Sequence, residues 1–290
     1  MIIRNPVYIK EVRASNRSHR QISVFLIFNG LLAIAGLYVL GKIIRGMNQE
    51  DVVNYSMILQ LYMILVTMEC SMLFLVLPGL TAGSISGERE KRTFDSMVST
   101  LLTPLSIVWG KLLAVMATVF ILLISSLPVL SLVFIFGGIR YADILISIGG
   151  MFILSFYIAS AGICFSAWGN RSLVSAIVSY SFLFFVTGGT LLISRLTQIL
   201  GLESDAVLVM GEQAIPWYHY FLLCNPIFTF YALLNMQVGS RDAVLSFISY
   251  QNEYQSNAVT EHWIFISLMV QTIMAVIFLW IAIQGIKNKR

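Results

Sequence analysis

The chain has 290 residues, 58% of them hydrophobic and only 11% charged, with a formal net charge of +4. Soluble domains carry about 25% charged residues, so 32 ionised side chains (18 basic plus 14 acidic) are too few to coat a water-facing body of this length. With a mean hydropathy of +0.85, the composition excludes an ordinary soluble enzyme. The basic excess, with no soluble fold to present it, excludes a nucleic-acid-binding module.

The first 21 residues carry Arg4, Lys10, Arg13, Arg17 and Arg20, interleaved with Val7, Ile9 and Val12. This pattern predicts a short amphipathic helix on the inner membrane surface, or a docking surface for a partner. Six apolar runs follow, near 22–40, 57–80, 112–136, 144–166, 173–193 and 263–283. Each approaches or exceeds the roughly 20 helical residues that cross a bilayer. None alternates as a barrel strand does, so helices are expected. The first run continues past Ala33 and Ala35 to Leu40, which reads as a retained span and not a cleaved signal. The expected fold class is therefore an all-α polytopic membrane protein, one transmembrane domain over 1–290.

Charge sets the expected orientation. With the N-terminus inside, segments 1–21, 81–111, 167–172 and 284–290 hold 13 of the 18 Lys and Arg, against 5 outside. That bias predicts cytoplasmic termini in a multi-pass protein of the plasma membrane. The longest external segment is 194–262, with Arg195 and Gln198 marking the outer end of the fifth span. Within it, WYHYFLLCNPIFTFYALLNM (217–236) is apolar and aromatic but broken by Pro226. It predicts a re-entrant or interfacial helical pair.

Glu69 is the one ionisable residue placed inside a span. It reads either as a pore-lining or gating carboxylate or as a structural hydrogen bond to a neighbouring helix. Cys70, Cys164 and Cys224 read as small buried apolar groups. His19, His219 and His262 have no ligand spacing, so no metal site is expected. Trp217, Tyr218, Tyr220, Trp263 and Trp280 fit interfacial belts, with lining of the exit as the alternative for Trp217 and Tyr218, and Gly149–Gly150 and Gly188–Gly189 fit close helix contacts.

Residues 78–114 read PGLTAGSISGEREKRTFDSMVSTLLTPLSIVWGKLLA. Small residues after the second run lead into a charge cluster, Glu88, Arg89, Glu90, Lys91 and Arg92. Phe94, Met97, Val98, Leu101 and Leu102 then recur at spacings of three and four, one apolar face of a helix. Thr103–Pro104 is expected to end it.

This stretch resembles the signature of ABC-2 type transporter permeases. The residues that carry the likeness are Glu88, Arg89, Glu90 and Thr93, then Thr103, Pro104, Leu105 and Ser106, then Ile107, Val108, Gly110 and Lys111. Asn225–Pro226 is similar to an Asn-Pro element of that family, and the layout of six spans with a long external segment before the last also fits. Two positions depart: Arg92 stands where the family usually has Gly, and Leu101 where many members have Pro.

The resemblance implies a permease subunit of an ATP-driven exporter, paired with a second permease, identical or homologous, on two cytoplasmic ABC ATPase subunits. The loop 81–111 would carry a coupling helix near 93–102, contacting the ATPase through Thr93, Phe94, Met97, Val98 and Leu101 and held by Glu88 and Glu90. Glu69, Asn225 and Pro226 would belong to the translocation path or its gate. The chain contains no G-x-x-x-x-G-K-[ST] phosphate loop, so no catalytic, cofactor or metal residue is assigned to it. ATP and Mg are expected on the partner. Spans poor in polar groups suit a hydrophobic or amphipathic cargo, in contact with membrane lipid. The competing readings are a non-transporting scaffold or regulatory subunit, and a membrane-embedded enzyme. The enzyme would need more polar partners within the spans than Glu69 alone.

Overall fold

A computed structural model describes residues 6–16, 18–47, 55–94, 103–131, 133, 139–199, 215–240, 242–248 and 256–288. In chain order they form α1 (Pro6–Asn16), α2 (His19–Met47), α3 (Tyr55–Thr81), α4 (Ser86–Glu90), α5 (Pro104–Leu130), α6 (Tyr141–Trp168) and α7 (Ser172–Phe184). A π turn (Phe185–Gly189) joins α7 to α8 (Thr190–Ile199). A 3-10 helix (Trp217–Cys224) then leads into α9 (Pro226–Gln237), α10 (Ala243–Ile248), α11 (Ala258–Glu261) and α12 (Trp263–Lys287). Among the described residues, six helical stretches are long and apolar enough to cross a membrane: within α2, from α3 into α4, α5, α6, from α7 into α8, and α12. The chain is an all-α, six-span polytopic membrane protein.

Five of the spans fall where hydropathy puts them. The third is displaced: expected over 112–136, it starts at Pro104 and its helix runs to Leu130. Thr103 and Pro104 open this helix. Thr103 has extended backbone, its hydroxyl oxygen accepts from the Ser106 amide, and Pro104 occupies the first helical position. There its missing N–H leaves nothing unsatisfied. At 1.5 Å per residue, 27 residues span roughly 40 Å, more than a hydrocarbon core of about 30 Å requires. The helix is therefore longer than the core it crosses.

α6 is the axis of the bundle. Its most apolar window is 61% buried, against 17% for the first span and 11% for the fifth. α12 lies along it, and α3, α5 and α7 pack around it. Glycines permit close approaches between the spans. A Cβ on Gly162 of α6 would collide with the Thr81 side chain at the end of α3, and one on Gly285 of α12 would lie 2.7 Å from Nε1 of Trp168. Gly150 also meets a neighbour, Leu233 of α9. Gly188 and Gly189 do not serve helix contact as expected: they sit in the π turn, and a Cβ on Gly189 would meet nothing within 4 Å. The outward faces of the first and fifth spans show Leu26, Ile34, Leu37, Leu173, Ile177 and Phe184. Such surfaces are stable in lipid and not in water.

A second, smaller core gathers Leu222, Phe228, Ala232, Val244, Ile248 and Trp263. Trp263, expected in an interfacial belt, is 1% exposed and packs edge-on to Phe228 at 5.6 Å between centroids. The apolar residues of the 217–248 segment surround it and take the place of lipid. Trp217 and Trp280 are exposed. The N-terminal helix is not held by a lipid surface alone, because α1 packs on α5 and buries Val7 there.

Candidate functional site

The charge cluster after the second span is a clasp, and each of its first three members reaches a different element. Glu88 faces α1 and α5. Its Oε1 accepts from Lys10 Nζ at 3.3 Å and lies 3.7 Å from Lys111 Nζ, while its Oε2 accepts from the Thr93 hydroxyl. Arg89 points the other way. Its Nη1 donates to the carbonyls of Ala167 (2.5 Å) and Gly169 (2.9 Å), at the C-terminal end of α6. Glu90 accepts from the backbone amide (3.2 Å) and the hydroxyl of Ser172, the first residue of α7. Unpaired carbonyls at a helix C-terminus attract a cation, and unpaired amides at an N-terminus attract an anion. Arg89 and Glu90 thus match in sign the two helix ends that meet beside them, and Glu88 meets the lysines.

The turn after the clasp is strained. Arg92 has φ +56°, the only positive φ at a non-glycine residue among those described. The left-handed conformation costs a residue bearing Cβ roughly 1–2 kcal/mol. The turn closes on itself through the Thr93 amide, which donates to the Glu88 carbonyl at 2.9 Å. It brings the Phe94 ring, 5% exposed, beneath the Arg89 guanidinium at 4.7 Å. Met97, Val98 and Leu101, and with them most of the expected helix over 93–102, lie outside the described residues.

Lys111 is the most buried cation of this region, 2% exposed on α5. Its Nζ donates to Glu11 of α1 at 2.8 Å. A buried ammonium must be paired, and Lys111 draws its counter-charges from two elements, α1 and α4. Beside it opens a cavity of about 510 Å³, lined by Lys10, Glu11, Glu88, Lys91 and Lys111 together with Ser84, Gly87, Thr93 and the apolar Leu80 and Val115.

At the other side of the bundle, Asn225 and Pro226 form a joint between the 3-10 helix and α9. Asn225 is fully buried. Its Oδ1 accepts from the amides of Ile227 (2.9 Å) and Phe228 (3.1 Å), capping α9, with Pro226 at the first helical position. Its Nδ2 donates to the Thr187 carbonyl in the π turn at 2.9 Å and to the Thr190 hydroxyl at 2.8 Å. Nearby, Gln271 and Ser267 of α12 both donate to the Leu223 carbonyl and bond to Thr229. Tyr62 of α3, Ser147 of α6 and Gln237 of α9 close a further network, with Tyr62 Oη 2.8 Å from both partners. These neutral hydrogen bonds hold the 217–237 segment among the spans.

An apolar cavity of about 640 Å³ lies between α3, α7 and α9, lined by Cys70, Phe74, Leu183, Phe184, Phe230 and Tyr231 among others. Asn225, Pro226 and Glu69 do not line it. Glu69 is fully buried on α3, and its Oε1 accepts from the Ser126 hydroxyl of α5. Its Oε2 has no hydrogen-bond partner among the described residues. The geometry therefore brings Glu88, Glu90, Thr93 and Phe94 together, and sets Glu69 and Asn225 apart from them and from each other. Glu11, Lys111 and Ser172 complete the clasp. No periodicity marks them, because their partners lie far away in the chain, as with Lys111 and Glu11 or Ser172 and Glu90. No group of three or more His, Cys, Asp or Glu that could hold a metal occurs among the described residues. No protein-family model matches the chain, and a comparison with curated proteins finds no match.

Proposed function

We propose that the chain is the permease subunit of an ATP-driven exporter, with the end that bears the clasp facing the cytoplasm. The observation that supports this reading is the clasp. Residues 88–90 join α1, α5 and the α6–α7 junction at one point, immediately before the segment 93–102 that the resemblance assigns to ATPase contact. A displacement delivered to that segment would reach four elements at once through Glu88, Arg89 and Glu90. Two ATPase subunits would supply ATP and Mg, a second permease would complete the path, and the 217–237 segment would act as a re-entrant cap. The apolar cavity between α3, α7 and α9 suits a hydrophobic or amphipathic cargo, since burial of apolar surface is worth about 25 cal/mol per Å².

The experiment is coupled transport in proteoliposomes holding the chain with its ATPase partner. The purified chain alone is expected to hydrolyse no ATP. Glu88→Ala combined with Glu90→Ala, and separately Phe94→Ala, should leave membrane insertion intact while ATPase stimulation and transport fall together. Wild-type coupled transport in both variants would sink the coupling role of this segment.

A further inference from the structure

We propose that the polar cavity beside Lys111 is a binding site for the headgroup of an anionic phospholipid, with a phosphodiester as the recognised group. Four observations carry this, none of which depends on the exporter reading.

The first is charge. The cavity wall holds three lysines, Lys10, Lys91 and Lys111, and two carboxylates, Glu11 and Glu88. Lys10 and Lys111 are paired with those carboxylates, whereas Lys91 makes no ion pair among the described residues. The surplus is one positive charge, which a single phosphodiester neutralises. The second is an unanswered donor. The Ser84 hydroxyl, at the cavity wall, is buried with no hydrogen-bond partner among the described residues. Native proteins rarely leave such a group unsatisfied, and a phosphate oxygen is a strong acceptor.

The third is depth. The lining runs along α5 from Lys111 to Thr118, about 10 Å of helix rise. Thr118 meets Gln21, the residue at which the first span begins, at 3.5 Å. The cavity thus lies at the level where the first span begins, and its wall combines the exposed Lys10 and Lys91 and the buried Lys111 with the apolar Leu80, Ala114 and Val115. A wall both charged and apolar suits a phospholipid, and a free phosphate ester has no use for its apolar part. The fourth is room. A Cβ on Gly87 would meet no atom within 4 Å, so this part of the wall is open.

The test uses the full chain, purified in detergent and examined by native mass spectrometry after reconstitution with defined lipids. Phosphatidylglycerol should be retained over phosphatidylcholine by about tenfold, because both carry the phosphodiester but the choline cation is repelled by the surplus positive charge of the cavity. Lys91→Gln should lower that retention about tenfold without changing the melting temperature, since Lys91 is exposed and its loss breaks no ion pair. Gly87→Leu places a side chain in the open space and should abolish retention, with the protein still inserted and monodisperse. Wild-type retention in either variant would overturn the proposal. So would equal binding of glycerophosphoglycerol, the same headgroup without acyl chains, because the ligand would then be a soluble phosphate ester.

Discussion

The clasp at one side of the bundle and the Asn225 seam at the other do the same job with opposite chemistry. Around Glu88 every fastening involves a charged side chain: Glu11, Glu88, Glu90, Lys10, Lys111 and Arg89 tie α4 to α1, α5, α6 and α7. Around Asn225 every fastening is neutral, between amides, hydroxyls and carbonyls. The first region borders the polar cavity, with Lys10 exposed and Glu11 and Glu88 partly so, and its charges therefore keep part of their hydration and ionic pairing is tolerable. Within hydrocarbon an uncompensated charge costs several kcal/mol, and hydroxyl and amide contacts avoid that penalty. Each region therefore yields to a different perturbation: the clasp to salt and charge, the seam only to deletion of a partner.

The largest effect is expected at the seam. Asn225→Ala removes the cap of α9 and two bonds to the fifth span. A lost cap is worth about 1–2 kcal/mol and each interhelical bond about 0.6–1.7 kcal/mol, so a loss of about 3 kcal/mol should appear in denaturant-induced unfolding in micelles. It should not vary between low and high salt. Next comes Lys111→Met, which strips the buried cation from Glu11 and Glu88. Breaking a fully buried pair costs about 3–5 kcal/mol, but both carboxylates border the cavity and can rehydrate, so about 2 kcal/mol is expected. Molar salt should shrink the gap between wild type and variant; a gap unchanged by salt would show that Lys111 acts by packing alone. The smallest effect has the opposite sign. Arg92→Gly relieves the left-handed strain and should stabilise by about 1 kcal/mol, visible as a higher melting temperature. An unchanged or lower value would show that the Arg92 side chain makes a compensating contact.

Much of the fold was legible because hydropathy is a local property: five of the six spans could be placed from runs of Leu, Ile, Val and Phe alone. The third was misplaced because a Thr-Pro pair reads equally as the end of one helix and the start of the next, and the structure shows it starting α5. Arg92 shows the reverse. It departs from the pattern this stretch resembles, and its φ of +56° is the conformation that favours glycine. The partners of the clasp were illegible. Glu88 and Lys111 could be singled out as charged, but nothing local says that a carboxylate will meet an ammonium from another helix. Trp263 failed for a related reason: an aromatic at a span end is at home in a lipid belt, and only the tertiary packing of Phe228 and Leu222 reveals that protein covers it. Met97, Val98 and Leu101 lie outside the described residues, so the helix expected over 93–102 rests on the sequence pattern.

The π turn at Phe185–Gly189 gives the fifth span a rotational phase. Relative to a continuous α-helix it inserts one residue, equivalent to about 100° about the helix axis. Thr187 and Thr190 nevertheless both reach Asn225, and one turn further on the buried Ser194 hydroxyl lies 3.0 Å from Nδ1 of His219. Deleting a single residue there would restore a continuous α-helix and leave its distal half nearly in phase. Straightening the turn to α-helical bonding with all of its residues kept would instead rotate the distal half by about 100°, carrying Ser194 away from His219. The fifth span is a keyed shaft, and Asn225 is the key that fixes its angle.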